Sequence, residues 1–279
     1  MDEIQLGADE PVRLDVVDGI ARLVLSRPAV RNAVSDDLLD GLWAALDSPV
    51  LDRAGALVLT GAGRGFCAGA DLGALRAAVE GDAEAVLGPM VARLHAIVLR
   101  LRALPMPVVA AIEGAAVGGG MGLALAADLL VLGRSAVLVP GSLVMGASPD
   151  AGVSYFLARA LGGIRATAAL LLNEALDAPT LLAQGLATAV VDDGEALAAA
   201  MTLAWRVRHV PTGSLLATRR LVDLAPTHDL GRHLDAEERE FRSLWNGAEF
   251  REGVAAFLDG GRSHLAPPAP IRLVDTGAR

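Results

Sequence analysis

Lysine is absent from this 279-residue chain, so all 24 of its basic side chains are arginine. Any anionic ligand must therefore be gripped by guanidinium groups, whose planar fork suits phosphate. Acidic residues outnumber them, and the formal charge of −9 excludes the basic surface that nucleic acid requires. Cysteine occurs once, as Cys67, which rules out an internal disulfide and fits a reducing, cytoplasmic compartment. The five histidines, His95, His209, His228, His233 and His264, read as surface or helix residues, and the spacing of His228 and His233 does not match a helical zinc pair. No metal site is expected. The N-terminus, Met1-Asp2-Glu3, has the wrong charge for a signal peptide, and the apolar stretch from Gly114 to Ala127 is too short and glycine-rich to span a bilayer. There is no G-x-S-x-G nucleophile elbow, and Gly61-Ala62-Gly63-Arg64-Gly65-Phe66 misses the dinucleotide fingerprint at its last position.

What the chain does have is glycine in two matched places. Gly65-Phe66-Cys67-Ala68-Gly69-Ala70-Asp71 follows the strand-like run Ala56-Leu57-Val58-Leu59-Thr60, and Gly114-Ala115-Ala116-Val117-Gly118-Gly119-Gly120 follows Pro107-Val108-Val109-Ala110-Ala111-Ile112. Both turns lead into helix-forming sequence. Glycine tolerates positive φ and lets a ligand approach the main chain, and a helix start leaves N–H donors unpaired. Two such turns point to a pair of amides that share one bound oxygen.

The wording and order of these turns resemble the crotonase, or enoyl-CoA hydratase/isomerase, superfamily. Ser26-Arg27-Pro28-Ala29-Val30-Arg31-Asn32-Ala33 is similar to its "NRP…NA" segment, Leu59-Thr60-Gly61-Ala62-Gly63 to its "LTG.G" strand end, and Phe250-Arg251-Glu252-Gly253-Val254-Ala255-Ala256-Phe257-Leu258 to its "REG..AFL" helix. The resemblance spans roughly residues 12 to 262. It implies an acyl-CoA thioester as substrate, with coenzyme A as part of that substrate and no separate cofactor, and an oxyanion hole formed by the amides of Ala70 and Gly119. It further implies Arg27, Arg31, Ala68 and Arg262 as contacts to the CoA moiety.

The departures from the family pattern bear on the reaction. Hydratases of the family use two glutamates, and the corresponding positions here hold Gly122 and, near Pro140, Gly141. Between Gly114 and Asn173 the only carboxylates are Asp128 and Asp150. Without a base for water and an acid for the α-carbon, ordinary hydration is not expected, since each such group is generally worth about 10²–10⁴-fold. A glutamate placed at 122 is expected to restore a trace of it. Asp150, in Gly146-Ala147-Ser148-Pro149-Asp150-Ala151-Gly152, matches the family's "G..PDGG" turn, where isomerases carry a proton-shuttling acid. The same residue also reads as a helix N-cap. Three functions are open: double-bond isomerisation through Asp150, non-catalytic acyl-CoA binding, and divergent hydration. Dehalogenation has little support, because Trp43, Trp205 and Trp245 all lie outside this stretch. Asp128 and Asp71 read as structural, and Cys67 as a small buried filler.

Pattern reading places a hairpin at 12–25 turned by Asp18-Gly19, and a helix at 35–47 capped by Ser35 with Asp36 and Asp37 in its first turn. It continues with strand 56–60, helix 83–103, strand 107–112, a helix after Gly118, and strands 128–132 and 136–139. Beyond residue 151 the sequence reads as helical, with one strand-like run at 188–192. This alternation argues for a layered α/β core. The resemblance converts it into a ββα spiral over 1–200 with a helical C-terminal region at 201–266 that assembles trimers or dimers of trimers. Residues 267–279, rich in proline, read as a flexible tail.

Overall fold

The computed structural model of the chain describes residues 10–259. It opens with the antiparallel hairpin of β1 (Val12–Val17) and β2 (Ile20–Leu25), closed by Asp18 and Gly19, both at positive φ as a two-residue hairpin turn requires. Seven more strands follow: β3 (Ala56–Gly61), β4 (Val108–Ile112), β5 (Ala115–Val117), β6 (Leu129–Gly133), β7 (Val137–Val139), β8 (Leu176–Asp177) and β9 (Ala189–Val191). The main sheet runs β1-β2-β3-β4-β6-β9 and is parallel from β2 onward, while β5, β7 and β8 make a small second sheet. In the passes β4-β5 and β6-β7 the chain lays one strand in the main sheet and the next in the small one before turning into a helix. This is the ββα spiral of the crotonase fold.

Among the described residues eleven α-helices accompany the strands: α1 (Asp36–Leu46), α2 (Leu72–Glu80), α3 (Ala83–Ala103), α4 (Gly119–Leu125), α5 (Val153–Leu161), α6 (Gly163–Leu171), α7 (Ala178–Ala183), α8 (Ala196–Val207), α9 (Thr212–Leu224), α10 (Leu230–Leu244) and α11 (Ala248–Leu258). The central strands read as unbroken apolar runs because both faces are covered, as in parallel sheets generally. On one face Ala56, Val58, Val109, Ala111 and Val131 meet Ala196, Ala200, Leu203 and Ala204 of α8, whose small side chains let the helix lie close. On the other, Leu57, Leu59, Val108, Ala110 and Ile112 join a larger core with α1, α3 and α4. The boundary expected at residue 200 falls inside α8, so the sheet-packing core runs through this helix. All seven residues of α4 are buried; a helix apolar on every side belongs in the interior.

The cap expected at Ser35 is present, its hydroxyl accepting from the Leu38 amide, with Asp36 and Asp37 in the first turn. Asp128 proves structural, as expected. The 8 %-exposed Arg219 of α9 donates to Asp128 at 2.8 and 2.5 Å and to the carbonyls of Leu104 at 2.6 Å and Met106 at 3.0 Å. Asp128 also accepts the Val108 amide at 2.8 Å. The guanidinium thus satisfies carbonyls where α3 ends, which have no helical partner, and fastens the C-terminal helices to the sheet. Beyond that anchor α10 and α11 present Phe241, Trp245, Phe257 and Leu258 to solvent. Arg262, His264 and the tail at 267–279 lie outside the described residues.

Candidate functional site

The first glycine-rich turn is built around Asn32, fully buried and left-handed at φ 56°. Its Nδ2 donates to the carbonyls of Ala62 at 3.0 Å, Gly65 at 2.9 Å and Phe66 at 3.1 Å, and its Oδ1 accepts the Arg27 amide at 2.8 Å. One carboxamide therefore holds the whole Gly61–Phe66 bend. Arg27 reinforces it: Nη1 reaches the Ala33 carbonyl at 2.8 Å, the Ser35 hydroxyl at 2.7 Å and Asp71 at 3.4 Å. Asp71 caps α2 through the Gly73 amide at 2.8 Å, in keeping with a role in fixing the turn.

The second turn is stitched to the first by main-chain hydrogen bonds. Phe66 and Cys67 donate to the Ala115 carbonyl at 3.1 and 3.2 Å, and Val117 donates to the Cys67 carbonyl at 2.9 Å, so Cys67 and Ala116 form a parallel bridge. The contact tolerates no side chain at two points: a Cβ on Gly69, at φ +82°, would lie 2.7 Å from the Val117 carbonyl, and one on Gly120 would lie 2.5 Å from the Cys67 carbonyl. Three residues beyond each bridging residue stand Ala70 and Gly119. Among the described residues neither of these N–H groups donates within the chain. At Ala70 the bridge to Val34 is made by the neighbours, the Gly69 carbonyl accepting the Val34 amide and the Asp71 amide donating to the Val34 carbonyl, and Gly119, as the first residue of α4, has no acceptor one turn back. Ala70 is exposed and Gly119 buried, so the pair of open amides lies where solvent meets the core.

The chain differs from what its sequence leads one to expect at Gly122, three residues, about 4.5 Å, along α4 from Gly119. The place of the absent side chain is filled by Ala151: a Cβ on Gly122 would lie 2.4 Å from the Ala151 carbonyl oxygen and 2.5 Å from its Cβ. A glutamate introduced here has no room unless that backbone moves, so the expectation that it would restore hydration is withdrawn. Gly141 holds φ +75° and donates its amide to Asn173 at 2.8 Å, and brings no acid either.

Asp150 is the residue before Ala151, so this packing fixes the backbone next to its carboxylate. It does not cap α5, whose N-cap is Gly152 without a side-chain hydrogen bond; its carbonyl accepts the Val153 amide at 2.9 Å while the carboxyl stays outside the helix. Burial pushes its pKa above the ordinary carboxylate value, with nearby His95 and its own amide pulling the other way. His95, which the sequence placed among unremarkable histidines, stands in the same site: its Nε2 accepts the Ala151 amide at 3.1 Å. Only its distance in sequence hid it, since α3 brings it back from 55 residues away.

The expected CoA contacts are spread along the first turn. Arg31 is exposed at φ 53°, with its carbonyl accepting the half-buried Ala68 amide at 2.9 Å. Arg27 is engaged in bracing the turn, as described above. Cys67 is fully buried, and burial raises its thiol pKa to about 11, so it is a filler without thiolate character. No cluster of metal-ligating side chains exists among the described residues, and none of their helices is long and apolar enough to cross a membrane.

A ββα spiral whose two bridged turns leave paired amides open at the head of a buried helix defines an architectural class. The chain belongs to the enoyl-CoA hydratase/isomerase family, whose model matches residues 15–265. It is similar to the 1,2-epoxyphenylacetyl-CoA isomerase of Escherichia coli, 37 % identical with 87 % of this chain and 93 % of that protein covered. Among solved structures it is similar to an enoyl-CoA hydratase from Polaromonas sp. JS666, at TM-score 0.82 and 32 % identity over 92 % of this chain and 98 % of that one. It also matches a putative enoyl-CoA hydratase from Thermobifida fusca in complex with acetoacetyl-CoA, at TM-score 0.74 and 28 % identity over 84 % and 94 % of the two chains.

Proposed function

We propose that this protein binds an acyl-CoA thioester, with the carbonyl oxygen accepting the amides of Ala70 and Gly119, and that it moves a carbon–carbon double bond with Asp150 as proton shuttle. In a 3-enoyl thioester the carboxylate takes a proton from C2, the electron pair passes into the carbonyl, and the two amides stabilise the enolate. The same carboxyl then returns its proton to C4, giving the conjugated 2-enoyl thioester with no net change in atoms. Each amide donor is worth about 3–4 kcal/mol in such a site. The observation that carries the reading is Asp150: a carboxyl whose pKa burial raises, not spent on a helix cap, in a turn whose next residue, Ala151, packs on Gly122 of α4, three residues from Gly119. A raised pKa suits a group that must both take and give a proton near neutrality.

The reading is supported by a family whose matched neighbour holds acetoacetyl-CoA and whose relative is named an isomerase. Arg31 and Ala68 border the first turn where the CoA moiety would run. Hydration is disfavoured because the Gly122 position is filled by Ala151 and supplies no second acid. The exposed apolar side chains of α10 and α11 fit a trimer contact, which sedimentation would test.

The test is conversion of a 3-enoyl-CoA to the 2-enoyl-CoA. Asp150→Asn is expected to cut kcat by about 10²–10⁴-fold while CoA-ester binding holds. Unchanged turnover in that variant refutes the shuttle. Acyl-CoA binding with neither turnover nor α-proton exchange in the wild type establishes the alternative, a protein that only binds.

A further inference from the structure

The turn that carries Asp150 has an unusual backbone and a single side-chain support. Ala151 sits at φ +48° and Gly152 at φ +79°, two left-handed residues in succession, the first of them not a glycine. Such a conformation at a residue bearing a Cβ is strained and persists only where the surroundings impose it. On one side the surroundings are α4, against which the Ala151 carbonyl and Cβ are pressed at Gly122. On the other they are His95 of α3, whose Nε2 accepts the Ala151 amide at 3.1 Å. His95 shares a cavity of about 410 Å³ with Tyr155, Phe156, Arg102 and Asp223. The last two pair with each other at 3.4 Å, and the remaining lining near the imidazole is apolar.

We infer that His95 is a positioning residue for the reaction: by accepting the Ala151 amide it holds the left-handed turn that sets where the Asp150 carboxyl stands over α4. This rests on Asp150 being the proton shuttle. It assigns His95 no contact with substrate. Its effect passes through one main-chain hydrogen bond to the residue next to the acid, and a displacement of about 1 Å at a reacting group can cost 10²-fold in rate.

The test compares His95→Leu, His95→Gln and Asp150→Asn in the full chain, measuring kcat and KM for a 3-enoyl-CoA together with amide hydrogen exchange of the segment 148–153. Leucine removes the acceptor at similar bulk, whereas glutamine offers its Oε1 in place of the ring nitrogen. His95→Leu is expected to lower kcat by roughly 10- to 100-fold with KM little changed and to speed exchange in the segment, and His95→Gln to recover most of both. Wild-type kcat in His95→Leu, where Asp150→Asn is inactive, overturns the positioning role and leaves the shuttle standing. If Asp150→Asn is fully active, the shuttle itself falls and the positioning role with it. Equal loss in His95→Leu and His95→Gln with unaltered exchange also overturns it, because the hydrogen bond would then not be what matters.

Discussion

Adding one methyl group at Gly122 tests how the site is held. In Gly122→Ala the new Cβ would stand 2.4 Å from the Ala151 carbonyl oxygen, 2.5 Å from its Cβ and 3.1 Å from its carbonyl carbon. Ordinary contact begins near 3.4 Å, so the backbone must yield by about 1 Å. α4 cannot retreat: all seven of its residues are buried and Gly120 already abuts Cys67. The Asp150–Gly152 turn must therefore be the part that moves, carrying the carboxyl with it. Overpacking of this kind costs about 1–3 kcal/mol, which for a chain of this size lowers Tm by roughly 2–12 °C at about 2–4 °C per kcal/mol. The rate should suffer more than the fold, by up to about 10²-fold for a 1 Å displacement, with CoA-ester affinity nearly intact because the open amides of Ala70 and Gly119 stay in place. Stopped assays of 3-enoyl-CoA conversion, ligand titration and thermal unfolding on one preparation separate the three effects. Wild-type kcat together with an unshifted Tm would refute the claim that Ala151 fills this position.

Three further outcomes follow from the same structure. Burial raises the Asp150 pKa, and a shuttle must begin unprotonated, so the acid limb of kcat/KM should lie above the ordinary aspartate range and rise with pH; persistence of that limb in whatever activity Asp150→Asn retains would argue against this assignment. Arg219→Leu leaves Asp128 with the Val108 amide and the longer 3.4 Å contact to Arg102 and strands the carbonyls of Leu104 and Met106, where the Arg219 and Asp128 side chains are only 8 % and 17 % exposed, at a cost of about 3 kcal/mol; a Tm drop of roughly 6–12 °C is expected, partly recovered when Asp128→Asn is added. The Cys67 thiol, at pKa about 11 against 9.0 for a free thiol, keeps its proton longer in the folded chain than in the unfolded one. Its contribution is whole below pH 9 and is lost between pH 9 and 11, roughly 2–3 kcal/mol in all. With no lysine and one tyrosine in the sequence, few other side chains change charge in that range, and Cys67→Ala should flatten the alkaline slope seen by urea titration.

The spiral was legible because its signals are local. Apolar runs bounded by Gly and Pro marked β3 and β4, Asp18-Gly19 marked the hairpin, and Ser35 marked the start of α1. The short strands were not: β5 lies inside what reads as a continuous glycine-rich turn, and β8 is two residues long, so neither has room for a two-residue alternation to repeat. In the site, the two turns were visible as words in the sequence, whereas the environment of Asp150 was not. Ala151 looks like any alanine, and only its left-handed backbone and its seat on Gly122 give it importance. His95 was set aside because one histidine in an apolar helix carries no pattern; its partner is an amide, and amides are invisible in a string of residue names. Arg27 was assigned to phosphate for its charge, when the carbonyl and hydroxyl it braces were as near in sequence as Ala33 and Ser35.

The parallel bridge between Cys67 and Ala116 has an evolutionary consequence. The two open amides belong to the peptide chain itself, and their register is set by hydrogen bonds between main-chain atoms, so no exchange of one functional side chain for another removes them. Mutation reaches them indirectly, by crowding a few glycines or by loosening the Asn32 brace of the first turn. The acids around them enjoy no such protection: a single codon change creates or deletes a carboxyl. A lineage built on this bridge can therefore exchange the side chains at its periphery while the two open amides are inherited unaltered.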